Sequence, residues 1–369
     1  VDALSARYIV RIPLDKLRLG FSEMTILDAL SWMISKDKSN RVQLEEAYNV
    51  RPDIGSIAEI VKKEGMNGLT HLHASVGAPI LPALCQRIPT AEEMIEKMGK
   101  VAVEPKYDGE RVQIHFVSSK FKVQSSKVSA FSRNLERIES MFPELQDIGK
   151  SLRCESVVLD SEVVGLSPET GAFIPFQETM TRKRKYNISE AVENVPIVFF
   201  VFDILVKDGK DLLSLPFSER PEILNKTIVQ GKLLQLSPQI LTEDPEEIRK
   251  YHDVQRKKGL EGIVVKKWES PYEPGRKGFS WVKLKEEEGK TGKLTDTIDA
   301  VIMGYTSGEG KRTEFGIGQV LLGVQKGEEI VSISKLGSGT TEAELGRLFS
   351  LLKKLRVKTM PKEYALVDK

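Results

Sequence analysis

The pattern of apolar and polar positions divides the chain into three stretches. Residues 1–76 favour helices, because their apolar positions recur three and four residues apart. Residues 77–287 mix helical segments with strand-like apolar runs at 101–103, 112–117, 157–164, 197–205 and 262–267. Residues 288–369 contain three alternating runs, at 298–305, 319–325 and 330–335, separated by glycine-rich turns. The pattern predicts a multidomain α+β protein with an α-helical part, an α+β core and a small β-barrel.

Two helix starts can be identified in the first stretch. Residues 25–28, Thr-Ile-Leu-Asp, fit a capping box. Pro52 and Asp53 predict the start of a second helix. The segment 76–82 contains two prolines and a glycine, and we expect it to end the helical domain. The buried face of the first helix is predicted to consist of Ile26, Ala29, Leu30, Met33 and Ile34.

A charged segment lies between two of the strand-like runs. Residues 104–111 read Glu-Pro-Lys-Tyr-Asp-Gly-Glu-Arg. An Asp-Gly pair between β-type runs predicts a tight turn, because glycine supplies the positive φ that such turns need. The residues of this turn would face one pocket, with Lys106 held at a strand end. On these residues alone, a solvated charged hairpin is the favoured interpretation.

Composition and net charge distinguish few classes of function. The 369 residues are 40% hydrophobic and carry a formal net charge of +2, so global charge gives no argument for nucleic acid binding. Any basic surface must be local, as in residues 182–185, Arg-Lys-Arg-Lys, for which a solvated loop is an equally good interpretation. The two cysteines lack metal-ligand spacing and fit a reducing, cytoplasmic location.

Residues 106–109, Lys-Tyr-Asp-Gly, fit the Lys-x-Asp-Gly signature of covalent nucleotidyltransferases. The wider string 104–115 resembles that of archaeal-type ATP-dependent DNA ligases. Five further blocks follow in the family's order, at 131–136, 158–164, 202–205, 261–266 and 281–285. Because six ordered blocks are far more specific than any one of them, the chain is identified by resemblance as a member of this family.

The resemblance implies a chemistry that starts at Lys106. A lysine amine is protonated at neutral pH, so a nucleophilic lysine must lose its proton. Neighbouring cations, here Arg111, Lys266 and Lys283, together with a bound divalent ion, would favour the neutral amine. Lys106 would then take AMP from ATP, AMP would pass to the 5′-phosphate of a DNA nick, and the 3′-hydroxyl would displace it.

Acidic and aromatic residues complete the implied site. Asp160 and Glu162 lie two apart in a strand-like run and share a face if the strand is regular. Buried paired acids need a cation, so a metal or a ribose hydroxyl is the expected partner. The resemblance assigns Glu162 to nucleotide and metal, and Glu261 to metal, with Mg²⁺ as the ion and Mn²⁺ as its substitute. It also implies that Phe202 stacks on adenine, that Glu104 contacts the base, and that Arg133 reaches the ribose or phosphate side.

Further expectations concern the cations near residue 280. Lys283 and Lys285 alternate with apolar residues, which places both ammonium groups on one strand face, suited to phosphate. Lys277 stands where relatives carry arginine. A nucleotide contact made by Lys277 would keep the positive charge but lose the two parallel hydrogen bonds that a guanidinium can donate. Glu261 and Lys266 are five apart and would point to opposite faces of a regular strand. Gly262 therefore indicates that Glu261 lies in the turn before the strand.

The resemblance divides the chain into the end of an α-helical DNA-binding domain (1–76), an adenylation domain (77–287) and an incomplete OB-fold (288–369). Residues 16–25 resemble the segment that lies beside the duplex, although an ordinary helix connection is the alternative. The family is longer at both ends, so a fragment is expected that lacks part of the helical domain and the end of the OB-fold.

The implied partner is nicked duplex DNA, in replication, repair and recombination. A sliding clamp is a second candidate partner, a monomer is expected, and a nucleoid-associated location is the alternative to a purely cytoplasmic one. Two other enzymes share the signature, an RNA ligase and a GTP-using capping enzyme, but the helical region ahead of the core argues against both. A nick-binding module without catalysis is opposed by the intact set Lys106, Glu162 and Lys283.

Overall fold

The computed structural model describes residues 2, 5–6, 9, 22–118, 127–175, 179, 195–275, 278–284, 299–308, 310–327, 329–337, 341–357 and 359–366. The chain forms two compact units, Val1–Gly289 and Lys290–Lys369. No helix within the described ranges is long and apolar enough to cross a membrane. The division of the first unit at residue 76 into two domains stays a prediction.

The first unit begins with three helices that share one small core. The α-helices of the described chain are α1 Glu23–Ser35, α2 Arg41–Val50, α3 Ile54–Glu64, α4 Ala91–Met98, α5 Arg220–Thr227, α6 Pro245–Lys257 and α7 Glu342–Leu355. Leu27 of α1, Leu44 of α2 and Ile57 of α3 are fully buried together. The predicted start of α3 is confirmed: the side chain of Asp53 accepts a hydrogen bond from the Ser56 N–H at 2.9 Å.

The prediction for the first helix was wrong in its start and in most of its buried face, although the predicted Leu30 does pack against the core of the three helices. The helix begins at Glu23 with Ser22 as its N-cap, so Thr25 occupies the third helical position rather than the cap. Its buried residues are Leu27 and Ser31, whereas Met33 is 54% exposed. The apolar residues around α1 exceed what α2 and α3 can cover, so helical spacing alone does not identify the packed stripe.

The predicted strands of the core are confirmed; the bounds of 262–267 are as predicted, and those of the other four strands are longer. The strands of the first unit are β1 Gln86–Arg87, β2 Val101–Lys106, β3 Glu110–Val117, β4 Lys127–Ser132, β5 Ser156–Gly165, β6 Ile197–Lys207, β7 Lys210–Asp211, β8 Leu234–Leu236, β9 Ile240–Thr242, β10 Gly262–Lys267 and β11 Trp281–Leu284. A five-stranded sheet has the order β1-β11-β10-β2-β9, and a six-stranded sheet has the order β4-β3-β5-β6-β7 with β8 paired to β6.

Each sheet buries one face in an apolar core and keeps polar residues on the other. In the five-stranded sheet Val103 and Val265 pack with Met94 of α4 and Ile248 of α6. In the six-stranded sheet, alternate residues of β3 and β5 enter a separate core. Because side chains alternate along a strand, the residues between these apolar positions belong to the opposite face. Both polar faces contribute to the candidate site.

The turn at Asp108-Gly109 does not form a hairpin. Strands β2 and β3, which flank it, belong to different sheets, since β2 pairs with β9 and β10 while β3 pairs with β4 and β5. Gly109 is also absent from the residues with positive φ. The glycine is needed for space, because an added Cβ would lie 2.3 Å from the Val163 carbonyl oxygen.

The proline-containing segment 76–82 packs against the six-stranded sheet instead of forming an exposed linker. Ile80 is fully buried, and its backbone N–H donates to Gln113 Oε1 at 2.8 Å while its carbonyl accepts from Gln113 Nε2 at 3.1 Å. The Gly77 N–H donates to Nδ1 of His115 at 2.9 Å. Polar side chains on β3 therefore satisfy backbone groups of a partly buried segment that is neither helix nor strand.

The second unit contains one four-stranded sheet in the described residues. Its strands are β12 Val301–Tyr305, β13 Val320–Lys326, β14 Glu329–Leu336 and β15 Tyr364–Ala365, in that order. The three alternating runs are thus confirmed as strands. Helix α7, which was not predicted, starts at the Thr341 cap and buries Leu345 against Ile317 and Val320.

Candidate functional site

A cavity of about 330 Å³ lies in the first unit and is lined by residues from both sheets. All the predicted nucleotide-site residues within the described ranges line it: Glu104, Lys106, Arg111, Arg133, Glu162, Phe202, Lys266 and Lys283. Two predicted cations, Lys277 and Lys285, lie outside the described residues, as do 182–185. The tertiary structure thus brings together residues from six separate segments of the chain.

Lys106 is the last residue of β2, and its ammonium group contacts the carboxylate of Glu261. Glu261 immediately precedes β10, in which Gly262 pairs with Lys106. The Glu261 N–H also donates to the Lys106 carbonyl at 3.2 Å. The expectation that Glu261 lies in the turn before the strand is therefore confirmed. Both side chains are partly open to solvent.

A second lysine, Lys266, is held rigidly beneath the cavity. Its Nζ donates to Glu104 Oε1 at 2.9 Å and to the Phe202 carbonyl at 2.8 Å. The same Nζ lies 4.8 Å from the Phe202 ring centre and 4.3 Å from that of Trp281. Burial raises the pKa of Glu104 to about 7, although Lys266 opposes the shift. The pair links β10 and β2 to the backbone of β6.

Asp160 has a protein cation as its partner, not the expected metal or ribose hydroxyl. Arg111 donates from Nε to Asp160 Oδ1 at 3.0 Å and from Nη2 to Oδ2 at 2.7 Å. The hydroxyl of Tyr272 donates to Asp160 Oδ2 at 2.8 Å. Arg111 Nη1 also donates to the Ala83 carbonyl at 2.6 Å. Burial alone would lower the pKa of Arg111, but the Asp160 carboxylate raises it above its ordinary value.

Glu162 faces Arg111 across the β3–β5 pair, where the two residues are in register. Burial raises the pKa of Glu162 to about 8, while Arg111 and Lys106 act in the opposite direction. The neighbouring cations therefore do not fully offset the loss of water around this carboxyl. A further cation in the cavity would favour the ionised form, which suits a residue proposed to hold a metal.

The metal site was predicted from Glu162 and Glu261. The described residues contain no group of three or more His, Cys, Asp and Glu arranged to hold a metal ion. Mg²⁺ commonly uses one or two carboxylates and completes its shell with phosphate oxygens and water. Glu162, which lines the cavity, and Glu261, which lies beside Lys106, have carboxylates that fit that chemistry, but Glu261 contacts Lys106 here and would have to exchange this partner.

Sequence reasoning assigned no role to Trp281, which lines the cavity, or to Tyr272, which lies behind it. Trp281 lines the cavity, and its ring lies 5.4 Å from the Arg111 guanidinium carbon. Tyr272 hydrogen-bonds both Asp160 and Arg111. Trp281 belongs to the family block 281–285 and lies two residues before Lys283, so both side chains share one strand face. This spacing could have identified Trp281 as a residue of the cavity. Tyr272 lies in the connection between β10 and β11, where no periodicity could identify it.

Two sheets that meet at a cavity with a strand-end lysine are consistent with a nucleotidyltransferase core, and comparison with known proteins identifies the family. Residues 82–285 match the family described as "ATP dependent DNA ligase domain", and the chain belongs to this family. The resemblance stated from the motifs is confirmed.

Relatives extend the match over nearly the whole chain. A probable DNA ligase of Dictyoglomus thermophilum is 43% identical over 358 residues, which cover 96% of this chain and 60% of that protein. A DNA ligase 2 of Korarchaeum cryptofilum is 39% identical over 359 residues, covering 96% and 59%. The chain thus spans about three-fifths of the length of these relatives.

A solved structure supports the fold. The structure named Pmar-Lig_PreS3 covers 82% of this chain and 64% of its own, with a TM-score of 0.54 and 19% identity. At this identity the likeness concerns the arrangement of the chain alone. The mixed architecture of sheets and helices predicted from the sequence is accordingly that of a known structure.

Proposed function

We propose that this chain carries the catalytic core of an ATP-dependent DNA ligase, with Lys106 as the residue that accepts AMP. The observation that carries the proposal is the position of Lys106 at a strand end, on a cavity that also holds Arg111, Glu162 and Lys283. The names of the relatives, which are DNA ligases, support the same reaction.

In the first step, the neutral amine of Lys106 attacks the α-phosphorus of ATP. A nitrogen–phosphorus bond forms, the bond from the α-phosphorus to the bridging oxygen breaks, pyrophosphate leaves with the electron pair, and the attacking nitrogen releases one proton to solvent. Glu261 pairs with the ammonium form of Lys106, so this ion pair must open before the amine can react. Because the pair lies at the ends of two neighbouring strands of the five-stranded sheet, it can open without breaking that sheet. Nucleotidyl transfer then depends chiefly on positioning and on neutralising phosphate charge.

The remaining residues hold the nucleotide. We assign Phe202 to stacking on adenine, Glu104 to the base, and Arg133 to the ribose or phosphate side. Lys283, together with Arg111, faces the phosphates. Lys266 orders the base end through Glu104 and the Phe202 carbonyl. Glu162 and Glu261 would hold Mg²⁺, which neutralises phosphate charge when it is bound.

The same proposal gives the flanking parts their roles. Helices α1–α3 would belong to the DNA-binding domain, residues 77–287 to the adenylation domain, and the four-stranded sheet to an OB-fold. The AMP on Lys106 would pass to the 5′-phosphate of a nick, and the 3′-hydroxyl would displace it. Nicked duplex DNA is the proposed partner. Contacts to phosphates rather than base edges would make binding steeply dependent on salt and nearly independent of sequence.

The test is covalent labelling with ATP, GTP and NAD side by side, in the presence of magnesium. Intact mass should increase by one adenylate with ATP, and peptide mapping should place it on Lys106. Lys106→Arg should abolish labelling. Lys226→Arg is the matched control, because Lys226 is exposed on α5 and pairs with Glu222.

Three results would contradict the proposal. Label on a lysine other than Lys106 would remove the assigned nucleophile. Preference for GTP, or sealing of RNA nicks without sealing of DNA nicks, would favour a capping enzyme or an RNA ligase. Binding of a nicked duplex by a chain that takes no label would favour a nick-binding module without catalysis.

A further inference from the structure

Tyr272 is buried at the junction of the two sheets, although it belongs to neither. It lies in the connection between β10 and β11, and its backbone N–H donates to the Leu213 carbonyl at 2.8 Å. The side chain is almost fully buried, and its ring packs edge-on against Trp281 with centres 5.6 Å apart. The ring therefore has a fixed position beside the cavity.

The hydroxyl of Tyr272 has all its hydrogen-bonding positions filled. It donates to Asp160 Oδ2 at 2.8 Å and accepts from the Ala83 N–H at 2.9 Å. It also lies 3.3 Å from Arg111 Nη2, which can donate to it. A phenol has one proton to donate and oxygen lone pairs to accept. The hydroxyl thus ties together a carboxylate, a guanidinium and a backbone amide.

These contacts join the two sides of the cavity. Tyr272 is carried by the connection between two strands of the five-stranded sheet, which also presents Lys106, Lys266 and Lys283. Asp160 and Arg111 belong to the six-stranded sheet. Segment 81–84 adds a second tie, because Ala83 contacts both Arg111 and Tyr272.

We propose that Tyr272 is a positioning residue: through its hydroxyl it fixes Arg111 and Asp160 relative to the sheet that carries Lys106. This inference rests on the proposed function. Tyr272 does not line the cavity and touches no reacting atom, so it acts through Arg111. A fixed guanidinium beside the phosphates would lower the barrier of the labelling step more than it strengthens ATP binding.

The first test is Tyr272→Phe, which keeps the packed ring and removes only the hydroxyl. We expect the maximal rate of Lys106 labelling to fall about tenfold, with half-saturating ATP changed less than about twofold. Tyr251→Phe is the matched control: the Tyr251 hydroxyl donates to the Pro238 carbonyl at 3.3 Å, and Tyr251 does not line the cavity. This control should label like the unchanged chain.

A second measurement is independent of activity. In a double-mutant cycle of Tyr272→Phe and Asp160→Asn, followed by tryptophan fluorescence during urea unfolding, we expect the unfolding constants to be non-additive by at least about fivefold. All three tryptophans lie in the first unit, so the signal reports on the relevant part of the chain.

The outcomes separate this inference from the proposed function. If the unchanged chain takes no label from ATP, the proposed function fails, and the role of Tyr272 in that reaction fails with it. If the unchanged chain labels Lys106 but Tyr272→Phe is equally fast, the inference alone fails. Additive unfolding constants, or a loss expressed only as weaker ATP binding, would also overturn it.

Discussion

The cavity has two charged regions, and they differ in how tightly the charges are held. At the strand ends, Lys106 and Glu261 have side chains 22% and 31% exposed. Within the strands (the mid-strand region), the side chain of Asp160 is 1% exposed and that of its partner Arg111, the second residue of β3, is 14% exposed. The Glu104–Lys266 pair resembles the second region, although it shares a sheet with Lys106. The identity of the sheet therefore does not decide the burial of the charge, since the five-stranded sheet carries both a partly exposed pair and a buried one.

This difference matches what each region has to do. A residue that must change its proton and its partner during a reaction needs a contact that opens at low cost. A residue that must hold a phosphate in one place needs a contact that does not open. Partial exposure to solvent weakens an ion pair. Removing one partner of a buried pair lowers the free energy of unfolding strongly, because the other charge stays buried without a partner. The strand-end pair is therefore the adaptable one, and the mid-strand pairs form the rigid frame.

The largest expected effect comes from breaking the mid-strand region. Asp160→Asn leaves Arg111 without its anionic partner, and the free energy of unfolding should fall by about 3 kcal/mol. Urea unfolding followed by tryptophan fluorescence measures this. Asp147→Asn is the matched control, because Asp147 and Lys150 form an exposed pair and should matter by less than about 1 kcal/mol. Equal effects of the two substitutions would contradict the comparison.

A smaller effect is expected where β2 passes to the other sheet. In Gly109→Ala the new methyl group would meet the Val163 carbonyl at 2.3 Å and Glu162 Cγ at 3.0 Å. Relief of this clash should cost about 1–3 kcal/mol of unfolding free energy. Gly231→Ala, which meets nothing within 4 Å, should change stability by less than about 0.5 kcal/mol. If both variants unfold at the same urea concentration, close approach is not the reason for a glycine at 109.

The third prediction concerns pH and the buried polar face of the six-stranded sheet. Burial lowers the pKa of His115 to about 3, whereas an unfolded chain protonates histidine near pH 6.5. Between these two pH values the unfolded chain binds more protons than the folded chain. The stabilisation that comes from keeping His115 neutral is therefore complete above pH 6.5 and is lost as pH falls towards 3.

The slope from this one group is at most about 1.4 kcal/mol per pH unit. His115→Gln removes the titration, and its unfolding free energy should depend less on pH over this range. Parallel curves for the two proteins would show that His115 is not protonated on unfolding.

The smallest expected effect belongs to the strand-end region. Lys106→Met removes the ion pair with Glu261, yet the free energy of unfolding should change by less than about 1 kcal/mol because the pair is partly exposed. The same urea titration used for Asp160→Asn measures it. A loss as large as that of Asp160→Asn would mean that Lys106 is part of the rigid frame, and the distinction between the two regions would fail.

Much of the core architecture follows from local pattern. The strands around residues 101–106, 110–117, 156–165, 197–207 and 262–267 were predicted because each contains a short strand-like apolar run, a property of each strand alone. The alternation of side chains along a strand placed Asp160 and Glu162 on one face, and the glycine at 262 placed Glu261 before its strand. The motif order identified the family and the lysine.

The partners of these residues were decided by the tertiary structure. Arg111 meets Tyr272 across 161 residues of sequence, and Asp160 meets Tyr272 across 112. The sequence gives no spacing rule for such contacts, so it predicted a metal or ribose partner where a guanidinium lies. The buried face of α1 was mispredicted for a related reason, since neighbouring helices select which apolar residues to cover.

The octapeptide at 104–111 combines both kinds of information. Its composition determined that a turn follows the lysine, because Asp-Gly between apolar runs disfavours a continuous strand. Only the folded chain decided that the turn crosses from one sheet to the other, with glycine required by the approach of the β5 backbone. The physical reason is range: propensity and alternation act over a few residues, whereas close packing and ion pairing depend on segments that folding alone brings together.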